Sequence, residues 1–235
     1  MSLDSRTIRY LLVATLASAS VVACGEKEVK YKPRPAPQVQ ANLPPVPNIP
    51  QTPIKTGDVY TVWGAGYSLR SRVLHKEVAD KRLTIEGYIV DTNLPQAPEC
   101  AVHKGGQADP EDCKPPIPTF WLGDTKDAPR KEAIPVMGWA SNYAQIFDAI
   151  KEIDEKGDKA ELTDTFWGKP IPNPIPSKGA KVRITGSFST TFTGASTGAE
   201  ANPIMGILTF DKMDVLEEAP ELATLPGVKR KPKKE

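Results

Sequence analysis

Histidine and cysteine are scarce in this chain, with two His and three Cys among 235 residues. A multi-metal centre or a string of haems needs more ligands than that, and no CxxCH haem attachment is present. No apolar run reaches the roughly 18–20 residues that a spanning helix requires. The one G-x-S-x-G string, Gly194-Ala195-Ser196-Thr197-Gly198, falls in a Thr/Gly/Ser/Ala loop between two expected strands rather than at a strand-to-helix elbow, and there is no glycine-rich phosphate loop. The two common placements of a nucleophile or a nucleotide therefore have no sequence support, and no cofactor is implied. Neither charge sign prevails, with 30 Lys+Arg against 29 Asp+Glu. Proline is plentiful instead. Its 24 copies are about double the ordinary usage and are clustered, so part of the chain is not folded core. The length suits one domain of ordinary size rather than two large ones.

Arg6 and Arg9 precede an apolar stretch, Tyr10 to Val22, that is too short to span as a mature helix. This is the layout of a secretory signal over residues 1–23. The stretch ends in Val21-Val22-Ala23-Cys24, which resembles the lipobox of bacterial lipoproteins. The resemblance implies cleavage before Cys24, diacylation of its thiol and acylation of the new amine. A single acyl chain binds a bilayer only marginally, at about 0.8 kcal/mol per buried methylene, so two or three chains make the anchor. Gly25 rather than Asp follows Cys24. By the enterobacterial sorting rule this implies the outer membrane of the cell envelope rather than the inner one. The alternative is an ordinary secretory signal with a chance cysteine.

Residues 24–55 are read as a tether. Pro33, Pro35, Pro37, Pro44, Pro45, Pro47, Pro50 and Pro53 fall here. Each fixes φ and removes an amide donor, so neither helix nor ladder propagates. About 20 residues of polyproline-like chain would stand a domain some 60 Å off the lipid at most. The prolines show no regular PxxP pattern with flanking basic residues, which favours a spacer over a recognition tract.

The folded domain is placed at residues 56–219. Val59-Tyr60-Thr61-Val62-Trp63 is a short apolar entry leading to Gly64 and Gly66. Residues 83–90 alternate apolar and polar as a half-buried strand does, with Gly87 marking a bulge or bend. Residues 119–122 and 133–139 follow as strands, and Pro135 hints that the latter lies at an edge. Ser141 is a candidate N-cap. Tyr143, Ile146, Phe147, Ile150 and Ile153 form one helical stripe, and Gly157 is its stop. Residues 181–188 and 205–216 are the last strands.

Strand-strand-strand-helix-strand-strand is the chain order of the OB-fold. The motifs agree with that family. Ile85-Glu86-Gly87-Tyr88-Ile89-Val90 resembles its first-strand pattern, Phe120-Trp121-Leu122-Gly123-Asp124 its second, and Val182-Arg183-Ile184-Thr185-Gly186 its fourth. The resemblance implies a mainly β, five-stranded barrel with one helix over about residues 81–216. It also implies a ligand face flanked by the first loop, 91–118, and by the loop between the last two strands, 189–203. Tyr88 and Trp121 are its candidate exposed anchors; barrel packing explains them as well.

Residues 56–220 carry 18 basic and 24 acidic side chains, a net −6. A single-stranded nucleic-acid groove needs several phosphate-neutralising cations, and here the basic residues sit in the flanks. Residues 220–235, with Lys229-Arg230-Lys231-Pro232-Lys233-Lys234, read as a disordered, solubilising tail. Cys100 and Cys113 lie in a long loop of an exported domain and are expected to form a disulfide, whose closure stabilises by about 3 kcal/mol in the chain-entropy model. The alternative is a metal held by Cys100, His103 and Cys113 with His75 as a fourth ligand, a spacing that matches no standard zinc knuckle. Asp109, Glu111 and Asp112 read as loop solubility. Asp124 and Asp127 fit either calcium ligation or a hairpin turn.

The expectation is a non-catalytic, lipid-anchored envelope protein. Its barrel binds an envelope protein, peptide or glycan, and its membrane partner is reached through acyl chains on Cys24. The alternatives are an accessory subunit of an envelope complex, or a metal-handling or enzymatic lipoprotein.

Overall fold

The computed structural model describes residues 52–195 and 198–230. The signal segment, Cys24 and most of the tether lie outside the described residues. Two short strands, β1 (Lys55–Thr56) and β2 (Val59–Thr61), lead into helices α1 (Val62–Arg70) and α2 (His75–Val78). The long strand β3 (Lys81–Thr92), then β4 (Phe120–Gly123), β5 (Ile134–Met137) and helix α3 (Tyr143–Lys156) follow. After α3 come β6 (Lys181–Ser189), a hairpin of β7 (Thr191–Ala195) and β8 (Gly198–Ala201), and β9 (Ile207–Glu217).

The pairing order β3-β4-β5-β9-β6 returns to β3 through a β3–β6 ladder, which closes five strands into a barrel. All neighbours are antiparallel except β5 and β9. Together with a helix between the third and fourth barrel strands, this is the OB-fold topology. The pleat explains which residues fill it. Leu83, Ile85 and Ile89 of β3 and Val182, Ile184 and Phe188 of β6 point inward and are buried. Phe120, Leu122, Ile134, Val136 and Phe210 join the same core. Tyr143, Ile146 and Ile150 of α3 pack into it, with Phe147 and Ile153 at its margin. Gly157, at φ 60°, ends α3 as its spacing predicts.

Several expectations are corrected. The β3–β6 ladder runs unbroken through Gly87↔Val182, and the irregularity in β3 falls between Ile89 and Asp91 instead. Gly87 is required by crowding: a Cβ there would lie 2.8 Å from both the Gly123 carbonyl oxygen and Val62 Cγ2. β5 is an interior strand despite Pro135, because its ladder to β9 begins at Val136, one residue later. The N-cap of α3 is Asn142, whose Oδ1 accepts from the Gln145 amide at 3.0 Å.

The apolar entry Val59–Trp63 turns from strand to helix at Thr61, whose hydroxyl accepts from the Gly64 amide at 2.9 Å. Asp124 completes that helix start. Its two carboxylate oxygens accept the Val62 and Trp63 amides, each at 2.8 Å. This occupies the residue otherwise read as a calcium ligand. Burial raises the Asp124 pKa, and the two amide bonds oppose the rise.

The folded unit also extends beyond 219. Leu225 is 1% exposed and sits with Val228 in the main core. Arg230 donates from Nε and Nη2 to Asp154 Oδ1 at 3.1 and 3.0 Å, and from Nη1 to the Ala223 carbonyl at 3.1 Å. The segment is therefore packed as far as Arg230 rather than free; residues 231–235 lie outside the described residues. At the other end Ile54 packs on the core, and its carbonyl accepts the Thr61 amide at 3.1 Å. Among the described residues no helix is long and apolar enough to cross a membrane.

Truncating a fully buried leucine costs about 2–5 kcal/mol. Leu225→Ala is expected to lower the unfolding free energy from urea titration by that order, whereas a free tail would leave it unchanged.

Candidate functional site

A tight turn at residues 164–168 organises the site. The Asp164 carboxylate is fully buried. Its Oδ2 accepts the Ser141 amide at 2.7 Å, and its Oδ1 accepts the Phe166 and Trp167 amides at 2.9 and 3.0 Å. A buried carboxylate is costly unless hydrogen-bonded, and charge-assisted bonds to backbone amides are the strong kind. The Gly168 amide donates back to the Asp164 carbonyl at 2.8 Å, with Gly168 at φ 61°. Gln145 Oε1 accepts the Thr165 amide at 2.9 Å. The turn is thereby fastened to the head of α3.

Its two aromatic rings go opposite ways. Trp167 packs on Ile117, Met137, Phe192 and Ile207, which ties the first loop, β5, β7 and β9 to the turn. Phe166 is left 72% exposed.

The first loop is similarly held. Cys100 and Cys113 form a disulfide with their Cα atoms 6.0 Å apart. Asn93 clamps the base of the loop, donating to the Ile117 carbonyl at 2.7 Å and accepting the Thr119 amide at 2.8 Å. Asp148 of α3 accepts the Gly105 amide at 3.0 Å. His103 bridges the loop internally, with Nδ1 3.0 Å from the Lys104 carbonyl and Nε2 2.8 Å from Asp109. The Lys104 carbonyl first, and the Asp109 carboxylate second, raise the His103 pKa above its ordinary value.

Between these parts lies a cleft of about 340 Å³. Asp109, Pro115, Pro116 and Pro118 of the first loop form one side, and Gly194 of β7 contributes from the other. The turn adds Phe166 and Trp167, and the head of α3 adds Ser141 and Tyr143. The two loops expected to flank a ligand face thus meet at one cleft. Ser141 Oγ and Tyr143 Oη are buried and have no hydrogen-bond partner among the described residues. Burial pushes the Tyr143 phenol well above its ordinary range, so it keeps its proton.

A larger cleft of about 830 Å³ lies elsewhere, between the end of α3, residues 173–180, the end of β9 and Arg230. Its guanidinium and its buried hydroxyl are already engaged with the protein. Arg230 is bonded to Asp154, and Ser177 donates to the Ile175 carbonyl and accepts the Ala223 amide. The smaller cleft combines unpartnered hydroxyls with a ring held out to solvent, and it is the stronger candidate.

The sequence-derived candidates fare unevenly. Trp121 is only 8% exposed. The Arg130 guanidinium lies 3.4 Å from its ring centroid, and Val90, Ala128 and Ala133 surround it. It is not a free anchor. Tyr88 is half-buried, with Lys126 Nζ and Lys181 Nζ at 5.3 and 5.8 Å from its ring centroid; neither residue lines the cleft. The alternative metal set of Cys100, His103 and Cys113 loses both thiolates to the disulfide, and His103 faces Asp109 instead. His75 is bonded through Nδ1 to the Leu69 carbonyl at 2.6 Å. Among the described residues no group of three or more His, Cys, Asp or Glu is placed to hold a metal. Cys24 lies outside the described residues. Asp164, Phe166 and Trp167 were not singled out by sequence reading, although Asp-x-Phe-Trp-Gly, an acceptor side chain two and three residues before aromatics and a glycine, is a legible turn signal.

No family model matches the chain, and no curated protein matches it. Among solved structures it is similar to a protein from Leishmania major Friedlin described as a "putative aspartyl-tRNA synthetase", at 16% identity and a TM-score of 0.31. The match covers 81% of this chain and 24% of that one. A likeness this slight carries no argument about function.

Asp164→Ala strands three backbone amides, and each buried donor left unpaired costs about 1–3 kcal/mol. The variant is expected to lose stability of at least that order in urea titration, and Asp164→Asn is expected to lose less. Because the folded-state pKa of His103 is raised, its contribution to stability is fully present below the unfolded value of about 6.5 and is lost as pH rises through the folded value. NMR titration should place His103 above that unfolded value, and Asp109→Asn should bring it down.

Proposed function

We propose that this chain is a membrane-anchored, non-catalytic lipoprotein of the bacterial cell envelope, and that its barrel binds an envelope protein, peptide or glycan at the Phe166 cleft. The observation that carries the reading is Phe166 itself. A phenylalanine 72% exposed forgoes burial worth about 1.5–3 kcal/mol, yet the turn presenting it is fixed by three amides on one carboxylate. A rigid support under an exposed ring is what a hot-spot anchor needs. Support for a non-catalytic role comes from the two imidazoles, which are engaged with the Leu69 carbonyl and with Asp109 rather than with a hydroxyl nucleophile.

The anchor rests on the lipobox resemblance at Val21-Val22-Ala23-Cys24. In this reading, acyl chains on Cys24 hold the mature chain in the outer membrane, and the proline-rich tether stands the barrel off the lipid.

A second reading, an accessory subunit of an envelope complex, has its own support. Trp63 and Tyr67 stack at 4.9 Å on α1, and both are exposed. An apolar surface of that kind suits a permanent neighbour.

In cells fed a palmitate analogue, the wild-type chain should be labelled and membrane-bound, and Cys24→Ser should be unlabelled and released. An unlabelled wild type would remove the anchor. Phe166→Ala is expected to reduce co-purification with the envelope partner roughly tenfold without changing the melting temperature. Loss on Trp63→Ser with Tyr67→Ser, and not on Phe166→Ala, would favour the accessory-subunit reading.

A further inference from the structure

The chemistry of the cleft narrows what it can take, on the reading that it is the binding site. Trp139, Ser141 and Tyr143 follow one another at the junction of β5 and α3, and each has a buried side-chain nitrogen or oxygen without a partner among the described residues. The Trp139 indole can only donate. The Tyr143 phenol is kept protonated by burial, and the Ser141 hydroxyl has a proton to give. All three have a proton to give, and two of them, Ser141 and Tyr143, line the cleft.

The walls add a second constraint. They are mainly the rings of Phe166 and Trp167 and the pyrrolidines of the first loop, joined by the neutral amides of Gln107 and Asn142, the latter already capping α3. No Lys or Arg is among the described residues that line the cleft, and its one carboxylate, Asp109, faces His103. An anionic ligand would therefore meet no cation. A sugar could lay its C–H face on the rings, but each of its hydroxyls brings a donor along with an acceptor.

We infer that the cleft binds an extended proline-rich peptide segment of an envelope partner. Prolyl residues carry carbonyl acceptors without N–H donors, and the polyproline II conformation leaves those carbonyls unpaired. Seated here, they accept from Ser141 Oγ and Tyr143 Oη while the pyrrolidine rings lie against Phe166 and Trp167. Such a segment is ordered before it binds, so a small contact area suffices. A volume of about 340 Å³ lies near the lower end of ligand pockets, which suits a few residues of a chain rather than a bulky cofactor.

The test uses the full chain and a fluorescent decapeptide rich in proline, read by polarisation. Controls are the same peptide with every proline replaced by alanine, and a neutral hexasaccharide as competitor. Saturable binding of the proline peptide is expected, with little or none for the alanine peptide. Phe166→Ala should weaken binding roughly tenfold or more. Tyr143→Phe, which keeps the ring and removes only the hydroxyl, should weaken it several-fold at an unchanged melting temperature. Equal binding of the two peptides, absence of binding, or indifference to both substitutions would overturn the inference. Binding of the hexasaccharide that is lost on Phe166→Ala would overturn the peptide while leaving the cleft as the site. Failure of both ligands, with envelope capture also unaffected by Phe166→Ala, would remove the site itself.

Discussion

One strand has to serve two neighbours on the same barrel wall. β3 pairs with β6 over Lys81–Tyr88 and with β4 over Tyr88–Thr92. The ring closes only if β3 bends as it changes partner. The break in register between Ile89 and Asp91 supplies the bend, and Gly87 leaves room for the Gly123 carbonyl and Val62 to approach. Closure then fixes β5 between β4 and β9, and with it the point where the chain enters α3. Everything built on that junction inherits its position from the shared strand.

Asp164 converts the position into a surface. Its carboxylate draws amides from the start of α3 and from its own turn into one buried knot, so the turn cannot shift without exposing charge to apolar surroundings. Trp167 faces inward and fastens the β7–β8 hairpin and the first loop to the same place. Phe166, its neighbour, is left outside. The disulfide and the His103–Asp109 pair stiffen the opposite side. The larger cleft shows the contrast, because its guanidinium and hydroxyl already have partners within the chain.

What was legible in the sequence was local. Alternation marked the strands at 83–90 and 181–188, short apolar runs marked the other three, the stripe from Tyr143 to Ile153 marked α3, and Gly157 marked its end. The two cysteines of the first loop were expected to pair, and they do. Features decided by distant partners were not legible. α1 contains two glycines and follows a β-like run; it is a helix because Asp124, from the turn after β4, caps amides some sixty positions earlier. Trp121 faces outward as the pleat requires, yet Arg130 covers it. The charges of the last segment disguised Leu225 and Val228, and the role of Arg230 depends on Asp154 at the far end of α3. The Asp164 turn was passed over because proline and polar residues around it looked like plain loop, although the aromatic pair before Gly168 carried the signal.

Placing a photoreactive phenylalanine analogue at position 166, and separately at position 222 beside the larger cleft, tests the central claim inside intact cells. The account predicts one discrete adduct with an envelope component from position 166, lost when Asp164→Asn loosens the turn, and no such adduct from position 222. An adduct from 222 alone, or identical adducts from both positions, would contradict it.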